Sequence, residues 1–106
     1  MRTQRHVWFT DRYGAGGDDD VSLARFSQLL DTIKEDDGDN EHRSISVSDE
    51  NEWNLEFYPG SVLFENVGED GGEVGTLFGL SDSDLLSLAQ QFIDGHLEAV
   101  RAWNWS

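Results

Sequence analysis

The sequence predicts an α+β domain: an antiparallel sheet of about four strands with two helices packed on one face, in the order β-α-β-β-β-α. Three observations predict it. Residues 23–33 and 85–92 place apolar side chains at intervals of three and four, the period of an amphipathic helix. Residues 44–48 and 53–58 alternate apolar and polar, the period of a half-buried strand. Pro59-Gly60 then joins residues 53–58 to a second β-rich stretch, residues 61–67, with the residue pair of a tight turn.

His6-Val7-Trp8-Phe9-Thr10 reads as the first strand, because Val, Trp, Phe and Thr suit a pleated surface. Tyr13-Gly14-Ala15-Gly16-Gly17 breaks it. Asp18, Asp19 and Asp20 follow, one placed to cap the next helix and the others favourable at its positive end. That helix is expected from about Val21 to Lys34, with Leu23, Phe26, Leu29, Leu30 and Ile33 as its apolar stripe. Gly38, within Glu35-Asp36-Asp37-Gly38-Asp39-Asn40-Glu41, ends it. The carboxylates there face the negative end of the helix dipole. A local penalty of that kind marks the loop as a functional candidate.

Ile45 and Val47 point inward in the next strand, followed by Trp53, Leu55 and Phe57. An odd-numbered loop through Glu50-Asn51-Glu52 sets Val47 opposite Leu55 and Ile45 opposite Phe57. An even loop would set Val47 against Asn54 and break the apolar face, so the odd register is expected. Folding about Pro59-Gly60 pairs Phe57 with Val62 and Leu55 with Phe64. The opposite face then carries Asn54, Glu56, Tyr58, Leu63, Glu65 and Val67, a mixed set. Gly68-Glu69-Asp70-Gly71-Gly72 is an acidic turn, and residues 73–78 form a weaker strand loosened by Gly75.

The last helix has the clearest start signal. Ser81 caps, Asp84 three residues later completes a variant capping box, and Leu80 staples onto Leu85. Leu85, Leu88, Ala89 and Phe92 form its stripe, and Gly95 bends or ends it. Leu97, Val100 and Trp103 resume a helical spacing, which places Trp103 in the core. Trp105, two residues on and about 200° around a helix, should face outward. Trp8 and Trp53 are expected to help fill the core.

Residues 1–106 make a single domain, and a chain of this length buries enough surface for one core. There is no cysteine, hence no disulfide framework and no thiolate metal site. Neither a signal-peptide pattern nor a long apolar run is present, so a soluble cytoplasmic protein is expected.

The net charge is −15, from 22 Asp and Glu against seven Lys and Arg. Seventeen of the acids lie in residues 14–80. Such a surface repels nucleic-acid phosphates and anionic membranes and attracts basic partners. Two other readings fit the charge. Six Arg beside one Lys, with so much acid, also suit a salt-adapted domain of unrelated function. A nucleic-acid mimic, of the anti-restriction or anti-CRISPR type, would need carboxylates spaced like phosphates along a face. Here they cluster in loops.

Motifs for chemistry are sparse. Asp37, Asp39 and Glu41 have the alternate spacing of calcium ligands, but His42 and Ser48 stand where an EF-hand needs Gly and Glu, so a solvated loop is expected. His6, His42 and His96 lie at no metal spacing. No nucleophile elbow and no phosphate loop is present. Glu56 and Glu65 share a sheet face without a His or a metal motif, so no enzyme activity and no cofactor is expected.

In size, acidity and α+β layout the whole chain resembles the small acidic immunity proteins of bacterial polymorphic-toxin systems. That resemblance implies a protein-binding inhibitor that plugs the basic cleft of a nuclease-type toxin, with no nucleic-acid or membrane binding of its own. It carries no site residues over. The residues themselves nominate Glu35, Asp36, Asp37, Asp39 and Glu41 of the loop, Glu56, Tyr58 and Glu65 of the mixed face, and Trp105 as the partner-binding set.

Overall fold

The structure, a computed structural model, describes residues 6–17, 21–34, 44–66, 68 and 75–105. These form an antiparallel six-stranded sheet and three helices. In chain order they are β1 (Val7–Thr10), β2 (Gly16–Gly17), α1 (Leu23–Lys34), β3 (Ile45–Asp49), β4 (Trp53–Tyr58), β5 (Ser61–Asn66), β6 (Gly75–Phe78), α2 (Asp82–Ile93) and α3 (Leu97–Arg101). The sheet order is β2-β1-β3-β4-β5-β6. The α+β class is as expected, but about four strands becomes six, and two helices become three.

The extra elements have no side-chain period to announce them. β2 is two glycines, held against β1 by backbone geometry. Asp11 Oδ1 accepts from the amides of Tyr13 and Ala15, each at 2.9 Å, and Gly14 takes φ +85°. That side-chain turn folds the chain back without a hydrophobic pattern. α3 has five residues, too few for a stripe to show.

Both hairpin registers match the sequence reading. Val47 pairs Leu55 and Ile45 pairs Phe57. Phe57 pairs Val62 and Leu55 pairs Phe64. Gly60 sits at φ +89°, as the second corner of the Pro59-Gly60 turn requires. The inward residues of the strands, Phe26, Leu29, Leu30 and Ile33 of α1, and Leu88, Ala89 and Phe92 of α2 belong to one buried cluster. The Phe26 ring meets Phe57 edge-on at 4.9 Å and lies 6.2 Å from Phe9.

α1 starts at Leu23, two residues later than expected, and its cap is Ser22, whose Oγ accepts from the Arg25 amide at 3.2 Å. The Asp18–Asp20 run proposed for that role lies outside the described residues. At the other end, the buried Arg12 guanidinium donates to the Thr32 carbonyl, one of the groups a helix end leaves without an internal partner. α2 has the expected capping box, Ser81 Oγ accepting from the Asp84 amide and Asp84 accepting from the Ser81 amide. It closes at Gly95, φ +81°, with His96 N–H bonded to the Gln91 carbonyl and Gly95 N–H to that of Phe92. This paired closure ends the helix rather than bending it.

Three tryptophans sit differently from expectation. Trp8 alternates with the buried Val7 and Phe9, so it stands half-buried on the other face of the sheet and not in the core. Trp103 packs against the buried cluster but stays half-buried at its edge, its indole N–H donating to Gln91 Oε1 at 2.8 Å. Trp105 does not face outward. Its ring lies 5.2 Å from Phe64 and its N–H donates to the Val100 carbonyl at 2.8 Å. The helical extrapolation fails because α3 ends at Arg101, and beyond it Trp105 packs against Phe64 and Gly75 of the sheet.

Candidate partner-binding face

The residues that alternate with the core set form three cross-strand rows on the other face of the sheet. Trp8, Ser48, Asn54 and Glu65 make the first. Thr10, Ser46, Glu56, Leu63 and Thr76 make the second. Tyr58, Ser61 and Phe78 make the third. Strand spacing sets the width of each row, with neighbours about 5 Å apart. The charged members of these rows are Glu56 and Glu65; none is Lys or Arg.

The rows change character from end to end. Near β1 and β3 the side chains are mostly hydroxyls, several satisfied locally. Ser48 Oγ donates to Asn54 Oδ1 at 2.8 Å, and Ser44 Oγ donates to Glu56 Oε2 at 2.7 Å. Near β4, β5 and β6 large apolar groups stand in water. Tyr58 is 40% exposed and Phe78 71% exposed. They occupy the two ends of the third row, with Ser61 between them, so roughly 10 Å separates their strands. Exposed aromatic rings beside carboxylates are the composition of energetic centres in protein interfaces.

The electrostatics of this end are negative. The Tyr58 phenol is held above its ordinary pKa of 10.0. Partial burial contributes most, then the Glu56 carboxylate, through its charge and as acceptor of the phenol O–H, then the charge of Glu65. The shift is directly observable. In a Tyr13→Phe background, which leaves Tyr58 as the chain's one tyrosine, phenolate absorbance should rise at a higher pH than for a free phenol. Adding Glu56→Gln should lower that midpoint. An unmoved midpoint would mean that the two groups do not share this field.

Of the residues nominated from sequence, Glu65, Glu56 and Tyr58 share this face on two adjacent strands, in the first, second and third rows in turn. Glu35, Asp36, Asp37, Asp39 and Glu41 lie outside the described residues. Trp105 is not part of this face; it packs on the inward side, against Phe64 and Gly75. The sequence reading missed Trp8, Phe78 and Thr76 for the face. Strict alternation from the core residues Phe9 and Leu77 points all three outward, and the strand order then joins β1 and β6 to this face.

Two surface hollows lie away from these rows. One, about 200 Å³, lies between the β1–β2 hairpin and α1 and is lined by Phe9, Asp11, Arg25 and Leu29. The other, about 410 Å³, runs along α2 past Leu23, Leu86 and His96. Among the described residues no group of three or more His, Asp or Glu could hold a metal ion, and no helix is long and apolar enough to cross a membrane. No protein-family model, characterised protein or solved structure matches the chain.

Proposed function

We propose that this chain is a protein-binding inhibitor, specifically an immunity protein that neutralises a basic, nuclease-type toxin in the cytoplasm by plugging its cleft. The observation that carries the reading is the sheet face on which Glu56, Tyr58, Glu65 and Phe78 gather, on a chain of net charge −15. A nuclease cleft must attract phosphates and is therefore basic. An acidic domain gains fast, steered association with such a cleft, and exposed aromatic rings supply the short-range contact area that charge alone does not. In this reading α1 and α2 cover the inward face and leave the mixed face for the partner.

The test is capture followed by inhibition. Tagged chain is used to retrieve binding proteins from the native host, and each is then expressed alone and assayed for nuclease activity. A basic nuclease silenced by an equimolar amount of the chain is the expected result. Partners that are acidic, or nucleases untouched by equimolar chain, would overturn the reading.

A salt series tests the same reading from the side of the isolated chain. A domain acidic for the sake of binding should melt cooperatively in dilute buffer. A salt-adapted domain, self-repelling at −15, should lose its structure below about 1 M salt, where the Debye length exceeds roughly 3 Å.

A further inference from the structure

We propose that the Glu56–Tyr58 corner of the sheet receives an arginine side chain of the partner, its guanidinium lying against the Tyr58 ring beside the Glu56 carboxylate, with Glu65 two rows from Tyr58 adding to the negative field. The inference rests on the partner-binding reading above and names the group that is recognised. Tyr58 and Glu56 are two apart on β4 and so share a face. Glu65 stands on the neighbouring strand, paired with Asn54. The ring is 40% exposed, and Phe78 across the row extends the apolar floor.

The charge balance selects among occupants. A second copy of this chain would bring another 15 negative charges onto an already acidic face. Nucleic acid and anionic lipid are repelled for the same reason. A basic protein surface is complementary, and among its cations arginine fits best. Its planar group can stack on a ring while its N–H groups reach the carboxylate beside that ring, whereas lysine offers a compact charge that is more strongly hydrated.

Oligo-arginine and oligo-lysine peptides of equal length serve as probes, with binding to the full chain measured by calorimetry at about 50 mM salt, where exposed charges are less screened than at physiological strength. Oligo-arginine should bind more tightly than oligo-lysine. Tyr58→Ala and Glu56→Gln should each weaken oligo-arginine binding about threefold to fivefold, the scale of one exposed cation–π or ion-pair contact. Tyr58→Phe, which keeps the ring, should retain the preference for arginine. Both positions are on the surface, and a melt of each variant confirms that it folds. If the sheet variants bind oligo-arginine as the parent does, while Asp36→Asn, Asp37→Asn and Asp39→Asn together abolish it, the corner is not the receptor and the broader basic-partner reading survives. If the parent binds neither peptide, both readings fall.

Discussion

Trp105→Ala is expected to lower stability by about 3 kcal/mol, near the range for truncating a packed aromatic residue. Three contacts hold the residue, to Phe64, Val100 and Gly75. The ring meets Phe64, itself stacked on Trp53 at 5.0 Å, and the Arg101 guanidinium lies 5.0 Å over the Trp53 ring. The indole N–H donates to the Val100 carbonyl near the end of α3, which also takes a long 3.4 Å bond from the Trp103 amide. The backbone of β6 comes so close that a Cβ at Gly75 would lie 2.6 Å from Trp105 Cβ. Gly75→Ala should therefore dislodge the same indole and cost about 1–3 kcal/mol, as overpacking does. Because both changes act on one contact, the double variant should lose less than the sum of the two. Denaturant melts followed by circular dichroism measure all three. A Trp105→Ala chain within 0.5 kcal/mol of the parent would show that the terminal segment does not rest on the sheet.

Asp49→Ala should cost about 2–4 kcal/mol. Asp49 is 1% exposed, the most buried acid among the described residues, and it sits at the end of β3 on the inward side. Its Oδ1 accepts from the amides of Asn51 and Trp53 at 2.9 and 3.0 Å, while the Glu52 amide donates to its carbonyl at 3.1 Å. One side chain thus satisfies two backbone donors in the turn between β3 and β4. It also holds Glu52 at φ +70°, a left-handed conformation that a side-chain-bearing residue seldom adopts. Alanine leaves both amides without that acceptor, and each buried unsatisfied donor costs about 1–3 kcal/mol. Asp49→Asn keeps an acceptor oxygen and should cost about half as much. An alanine variant that melts with the parent would mean that water replaces the carboxyl group, and the turn would then owe its shape to backbone bonds alone.

This turn shows where sequence reading reached and where it stopped. The odd loop through Glu50-Asn51-Glu52 was legible because only that register keeps Ile45, Val47, Leu55 and Phe57 on one face. The role of Asp49 was not. The period of two from Ile45 and Val47 points it inward, but nothing local says that the strand reaches Asp49 or that its carboxylate would cap the turn amides. The same holds for Arg12, whose helix-capping partner Thr32 is twenty residues away in sequence.

The candidate face divides in the same way. Glu56, Tyr58 and Glu65 were legible together because a two-residue turn and a period of two place them without any tertiary knowledge. Trp8 and Phe78 were not, since joining β1 and β6 to that face needs the strand order, and strand order is a long-range property. Trp105 was misplaced for a related reason. Periodicity extends a helix only while the chain remains helical, and no local residue announced that α3 stops at Arg101.

By itself, then, the sequence determined the α+β class, the central hairpins and their registers, the stripes of the main helices, the capping box of α2, and the net negative charge. Each follows from interactions between residues close in the chain, or from charge, which adds without regard to fold. The tertiary structure alone decided which tryptophans are inward, where the buried Arg12 finds its partner, and how the rows of the mixed face line up from β1 to β6. Those outcomes depend on contacts between segments far apart in sequence, and no local period encodes them.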